Sequence, residues 1–214
     1  MSAITELSVW SKEAQRTYIS IALCFRSDDS TEATAIAFWE KIFARVVAEW
    51  PPFGGQITLG GPGEIDQSKL YLRTSPNDKI RVEPRTTDKS INTSFSALQF
   101  NEFPASSFVN KDWSVNGNLE KPGETKPILR AAVQVLDGGY ILLLYLHHSY
   151  GDGGCMNQLL NLLAKGVCSQ DGPLPSASPG WRSRSQLSLP CRPISLDNIL
   201  KECPENLHLN RSLF

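Results

Sequence analysis

Apolar residues recur along this chain with two different periods, which together predict a mixed α/β fold. Residues Thr17 to Phe25 are rich in β-branched and aromatic types and predict a strand. From Glu32 to Trp50, apolar residues recur at helical spacing on one face, and Pro51 and Pro52 follow directly. The pattern therefore predicts a strand followed by a long amphipathic helix.

The clearest local unit is a predicted hairpin in the second half of the chain. Two apolar runs, Leu129 to Leu136 and Tyr140 to Leu146, flank an Asp-Gly-Gly turn, and Asp-Gly between such runs is a strong hairpin signal. The second run is apolar on both faces, which predicts a central, buried strand. A helix is predicted next, from about Cys155 to Val167. We expect the hairpin in the middle of a sheet, with the Glu32–Trp50 helix packed on one face.

The other segments carry weaker signals. The glycine-rich stretch Gly54–Gly63 predicts turns, Leu70–Thr74 and Lys79–Val82 predict short strands, and Thr86–Lys126 is expected to be mostly irregular. Residues 1–168 are predicted to form one domain. A Ser/Pro-rich linker at 169–190 and a tail at 191–214 should follow.

Composition and charge narrow the classes of function. The net charge of −1 gives no support for nucleic acid or an anionic membrane as partner. The five cysteines form no CxxC pair, so no metal site is predicted. The polar start resembles no signal peptide, and no run is long enough to span a bilayer. These features predict a cytoplasmic protein with reduced thiols.

One motif carries recognisable chemistry. Residues 147–153, His-His-Ser-Tyr-Gly-Asp-Gly, fit the pattern HHxxxDG at every fixed position. Imidazole titrates near neutral pH, so a histidine held at the end of a rigid strand can act as a general base for acyl transfer. Asp152 could turn inward and pair with a basic or polar group. Gly151 and Gly153 permit tight turns and close backbone approach.

Other interpretations of the same residues stay open. A histidine at a strand end is often structural, and paired histidines could form half of a metal site, although the remaining histidine is His208 in the tail. Asp152 could simply cap the following helix. Cys155 could be a nucleophile, but a small buried residue on the helix fits it better.

The motif and its surroundings resemble the BAHD-type acyltransferases, in particular the fungal branch of the trichothecene O-acetyltransferases. The stretch DGGYILLLYLHHSYGDGG is the closest, and AEWPPFGGQI and FPASSF resemble family segments in the same order. More distantly, the chain is similar to peptide-synthetase condensation domains and to chloramphenicol acetyltransferase. The resemblance covers roughly residues 7–167.

The resemblance implies a fold and a chemistry. Members have two chloramphenicol acetyltransferase-like α/β domains, with a tunnel between them for acyl-CoA and the acceptor. It implies that His148 is the general base, that Asp152, His147, Gly151 and Gly153 are structural, and that acyl-CoA is a co-substrate. The Asp-Phe-Gly-Trp-Gly motif of the second domain is missing. The chain is therefore expected to correspond to a single domain, the N-terminal half.

Three functions follow as hypotheses. The first is an acyl-CoA-dependent O-acyltransferase, with acetyl the expected acyl group and a fungal secondary metabolite the expected acceptor. The second is a truncated, non-catalytic half that binds or interacts, as a homo-oligomer or with a second-half partner. The third is a condensation-type domain that uses carrier-protein thioesters, which the lack of a carrier segment disfavours. We expect His148 to face a cleft and Asp152 to point into the protein.

Overall fold

The computed structural model describes residues 3–7, 16–27, 31–60, 69–85, 94–104, 108, 117–119 and 121–168. The strands are β1 Ala3–Glu6, β2 Tyr18–Arg26, β3 Gln56–Leu59, β4 Leu70–Thr74, β5 Val82–Pro84, β6 Thr125–Pro127, β7 Leu129–Leu136 and β8 Gly139–His147. The helices are α1 Glu32–Glu49, α2 Phe95–Phe100 and α3 Gly153–Cys168, with a 3-10 turn at Pro51–Gly54. The predicted linker and tail lie outside the described residues.

The larger sheet has the strand order β2-β8-β7-β5, and β8 lies inside it. β8 pairs antiparallel with β2 and with β7, whereas β5 joins β7 in parallel. Every residue of β8 is buried, as its unbroken apolar run predicts. The tight turn between β7 and β8 contains Gly138 at φ 78°, a conformation that glycine adopts without steric cost. The predicted central hairpin is confirmed.

Helix α1 packs against one face of this sheet, as the sequence predicts. Its start is fixed by a reciprocal cap, in which Thr31 Oγ1 accepts from the Thr34 amide and Thr34 Oγ1 accepts from the Thr31 amide. Its apolar stripe is buried in one core with alternate residues of β7 and β8 and with the apolar face of α3. The residues that α1 buries are Ala35, Trp39, Ile42, Phe43 and Val46.

The opposite face of the sheet carries a smaller apolar cluster. Its buried members are Tyr18, Leu98, Leu136, Ile141, Leu143 and Tyr145. Leu98 comes from the short helix α2, so this helix, together with Phe103 and Phe108, covers the second face. The sheet is therefore enclosed between two layers, which explains why both faces of β8 are apolar.

A smaller sheet, in the order β1-β4-β3-β6, adjoins the first one. Ile128 connects the two sheets, because it lies between β6 and β7 and its backbone forms a hydrogen bond toward each of them. Its N–H donates to Gly55 O over 3.0 Å, and its carbonyl accepts from the His147 amide over 2.8 Å. The end of β8 is thereby anchored to the junction between the sheets.

Several local predictions were wrong. Gln56–Leu59 lies in a segment predicted as turns, and Thr125–Pro127 lies in one predicted as irregular, yet both are strands. The strand predicted at Lys79–Val82 instead begins at Val82 and ends at Pro84. These short strands are stabilised by pairing with residues distant in the chain, which local periodicity does not report.

Candidate active site

The HHxxxDG motif forms the turn between β8 and α3. The backbone amides of its first two residues point to opposite sides of β8. The His147 amide donates to Ile128 O on the β7 side, and the His148 amide donates to Thr17 O on the β2 side, each over 2.8 Å. The chain then turns back, so that the Tyr150 and Gly151 amides donate to His147 O over 2.9 and 3.2 Å. The start of the loop is therefore held on both sides, by the residue before β7 and by the residue before β2.

His147 is fully buried, and both of its ring nitrogens are hydrogen-bonded. Nδ1 accepts from the Ser149 amide over 3.2 Å, so it carries no proton. Nε2 must then carry the proton and donates it to Gly117 O over 2.9 Å. Burial lowers the pKa of His147, against the opposing effect of the bond to Gly117. His147 is thus a neutral imidazole of defined tautomer that fastens the motif loop to the segment containing Gly117.

His148 is placed differently from its neighbour. Its side chain is only partly buried, and its Nδ1 is a buried atom without a hydrogen-bond partner in the described part of the chain. Among the described residues, the hydrogen bond of His148 is that of its backbone amide, which donates to Thr17 O. The imidazole is therefore free for chemistry in a way that the His147 ring is not. The cleft that His148 is expected to face stays a prediction.

Asp152 does not point into the protein, and this expectation was wrong. The residue is exposed, and its Oδ1 accepts from the Cys155 amide over 3.0 Å while its carbonyl accepts from Met156 N over 3.0 Å. These bonds make Asp152 the N-cap of α3, the alternative that its spacing before a helix had left open. A carboxylate at this position also interacts favourably with the helix dipole.

The two motif glycines differ in what surrounds them. A Cβ on Gly151 would lie 2.7 Å from both Cβ and Sγ of Cys155 and 3.0 Å from Leu146 Cδ2. A Cβ on Gly153 would meet nothing within 4 Å. Glycine is therefore required at position 151 by the close approach of the loop to α3. At Gly153 the described residues leave room for a side chain.

Comparison with known proteins identifies the family. A sequence model of the trichothecene 3-O-acetyltransferase-like N-terminal domain matches residues 17–168. The chain belongs to this family. The matched region begins just before β2 and ends at the last residue of α3, so it includes the whole larger sheet and the motif. A sequence comparison with curated proteins finds no significant match.

Solved structures share the fold of this trichothecene acetyltransferase-like domain. TRI101 of F. sporotrichioides, complexed with coenzyme A and T-2, superposes with a TM-score of 0.60 at 19% identity over 79% of this chain. TRI101 of F. graminearum, complexed with coenzyme A and T-2 mycotoxin, gives a TM-score of 0.62 at 18% identity over 79%. Polyketide synthase associated protein 5 of Mycobacterium tuberculosis gives 0.52 at 14% identity over 83%. The chain spans about 40% of the length of either TRI101 chain and 36% of the third.

Two contacts of the trichothecene acetyltransferase-like domain were not foreseen from the sequence. Trp50 Nε1 donates to Tyr150 OH over 2.8 Å, and the Tyr150 ring packs edge-on against Phe53. These contacts tie the motif loop to the end of α1. The helical spacing assigns Trp50 only to the end of the apolar face of the predicted helix. Its place next to Pro51 marks the helix end, but nothing in the sequence pairs it with a variable position of the motif.

Gly117 is the other residue that sequence reasoning missed. Its carbonyl accepts from His147, and a Cβ on it would lie 2.9 Å from Thr17 Cα. The segment around it shows no periodicity, so no sequence signal links it to the motif. Cys155, the alternative nucleophile, is buried beneath Gly151 as a core residue.

No group of three or more potential metal ligands occurs within the described ranges. His208 lies outside them. No helix in the described part of the chain is long and apolar enough to cross a membrane.

Proposed function

We propose that this domain contributes the general base of an acyl-CoA-dependent O-acyltransferase. The substrates would be acyl-CoA, with acetyl as the expected acyl group, and a hydroxyl of a small molecule, expected to be a fungal secondary metabolite. The observation that carries the proposal is the contrast within the motif: His147 is fixed by both ring nitrogens, whereas His148 is partly exposed with an uncommitted ring. Family membership and the coenzyme A in the TRI101 complexes support the choice of donor.

The proposed reaction begins with proton transfer to His148. The neutral imidazole accepts the proton of the acceptor hydroxyl as its oxygen attacks the thioester carbon, and a tetrahedral oxyanion forms. The oxyanion collapses, the carbon–sulfur bond breaks, and the imidazolium returns its proton to the thiolate. The products are an ester and free coenzyme A, and His148 ends the cycle neutral.

Two features of the loop suit this cycle. His147 stays neutral, so it adds no positive charge beside His148 when the latter is protonated. The backbone amides of His147 and His148 donate to Ile128 O and Thr17 O, and the His147 side chain donates to Gly117 O. Such fixation matters because misplacement of a base by ~1 Å can lower the rate ~10²-fold.

The test uses radiolabelled acetyl-CoA, a panel of trichothecene-type and related hydroxylated metabolites, and the chain together with a C-terminal half taken from a relative. We expect ester formation that is lost in His148→Ala by at least ~10²-fold, with the melting temperature unchanged. A Thr5→Ala variant, altered on the exposed strand β1, serves as the matched control. Equal turnover by His148→Ala and the parent protein would refute the mechanism.

A second candidate function is a domain that binds or interacts without catalysis. The chain spans about 40% of the length of either TRI101 chain, so the assay is run with and without the added C-terminal half. The same assay separates the two candidates. Transfer that appears on addition of the second half supports the enzyme, whereas association without transfer to any acceptor in the panel supports the binding function.

A further inference from the structure

The outer edge of β2 is the one long strand edge that no strand in the described part of the chain pairs with. The remaining edge strands are short, since β1 has four residues and β5 and β6 have three each. β5 and β6 each also contain a proline, Pro84 and Pro127. β2 has nine residues, YISIALCFR, with no proline and a single charge at its last position. Long, apolar, uncovered edges are templates for pairing with another strand.

The register of the sheet shows which backbone groups of β2 face outward. The His148 amide donates to Thr17 O, and the Ser27 amide donates to Gly138 O. In an antiparallel ladder the odd-numbered residues of β2 therefore bond to β8, and the even-numbered residues direct both N–H and C=O away from it. The outward residues are Tyr18, Ser20, Ala22, Cys24 and Arg26. Their backbone groups on this side have no partner in the described part of the chain.

We infer that a second copy of this chain pairs with β2 in antiparallel fashion, about a two-fold axis that passes between the Ala22 residues of the two copies. The pairing joins two four-stranded sheets into one of eight strands. The outward residues are spaced symmetrically about Ala22, so the backbone N–H and C=O groups of each one lie opposite those of an outward residue in the second copy. Ser20 lies opposite Cys24 of the second copy, and Tyr18 lies opposite Arg26. Every outward N–H and C=O is then paired. Such an isologous contact closes on itself and leaves no β2 edge for further addition.

Side chains and charge favour a second copy as the occupant. On the helix-covered face, the half-buried Ile19, Ile21, Leu23 and Phe25 would meet the same apolar set. On the other face, Ser20, Ala22 and Cys24 are small enough for close approach. Arg26 is the only charge of β2, and the two-fold axis separates the two copies of it by ~27 Å along the strands, several Debye lengths. No like charges face each other across the junction.

Sedimentation velocity of the full chain tests the inference directly. A junction of two strands is small, so we expect a reversible dimer with a dissociation constant on the order of 10 µM. Ala22→Pro removes an outward N–H and leaves the bonds to β8 intact, because proline is tolerated on the solvent side of an edge strand. We expect it to raise the dissociation constant at least ~10-fold.

Disulfide trapping tests the register and does not depend on how Ala22→Pro folds. In a Cys24→Ala background, Ala22→Cys places the two thiols on directly opposed residues whose Cα atoms lie ~5.5 Å apart, within disulfide range. Ser20→Cys in the same background places them ~14 Å apart and is the matched control. We expect oxidation to give a covalent dimer with Ala22→Cys and only the background level with Ser20→Cys.

Three results would overturn the inference: a monomer at every concentration, a dimer unaffected by Ala22→Pro, or equal trapping by the two cysteine variants. A monomer whose binding to an added C-terminal half is abolished by Ala22→Pro would assign the edge to that half instead. The inference stands apart from the proposed acyl transfer, since none of its measurements uses activity.

Discussion

The substitution Gly151→Ala offers a sharp test of how the motif loop is packed. The added methyl would lie 2.7 Å from Cβ and Sγ of Cys155 and 3.0 Å from Leu146 Cδ2. Both neighbours are buried, Cys155 at 1% and Leu146 at 0% exposure, so neither can move aside into solvent. Overpacking of this kind typically costs ~1–3 kcal/mol. For a domain of this size, that cost lowers the melting temperature by about 2–12 °C.

Gly153→Ala, two residues along the same loop, is the matched control. Its methyl would meet nothing within 4 Å, and Gly153 has no positive φ. Since Gly153 opens α3, alanine there should leave stability unchanged or raise it, by up to ~1 kcal/mol. The two substitutions add the same methyl group, so a loss of stability at Gly151 that Gly153 does not show reports the crowding around Gly151.

Thermal and urea unfolding, with the m-value checked for each variant, measure both effects. A double variant, Gly151→Ala with Cys155→Ala, removes the Sγ contact but keeps the Cβ contact and should recover part of the loss. Equal destabilisation at Gly151 and Gly153, or no loss at Gly151, would refute the packing argument.

Three further predictions follow from the site. Asp152→Ala should cost ~0.5–2 kcal/mol of unfolding free energy, whereas Asp152→Asn should retain the cap; equal losses would show that the charge matters more than the cap. The pKa of His147 is lower in the folded state than in the unfolded state. As the pH falls, this histidine is therefore protonated at a higher pH in the unfolded chain than in the folded one. The free energy of unfolding should then fall as the pH drops below ~6.5. In His147→Gln, chemical denaturation should show that this pH dependence is lost. Finally, since the chain covers about 40% of the TRI101 length, its transfer activity should be low alone and rise when a C-terminal half is added; full turnover by the chain alone would contradict this.

The sequence by itself determined the central part of the fold. The strand Tyr18–Arg26, the helix Glu32–Glu49, the hairpin and the helix Gly153–Cys168 all follow from apolar periodicity and turn residues. The position of the HHxxxDG motif between a buried strand and a helix follows from the same pattern. These elements could be predicted because each buries its own apolar face, so local spacing already carries the information.

Tertiary structure decided the partners of each group. The strands Gln56–Leu59 and Thr125–Pro127 pair with each other across the chain, and no local signal contains that pairing. Asp152 could have turned inward or capped the helix, and only the placement of Cys155 N selects the cap. The sequence alone does not distinguish the roles of the two adjacent histidines, His147 and His148. They differ in the fold because Gly117, thirty residues away, and Ser149 occupy the nitrogens of His147. Hydrogen-bond partners distant in sequence fix protonation and exposure, and a one-dimensional pattern does not record them.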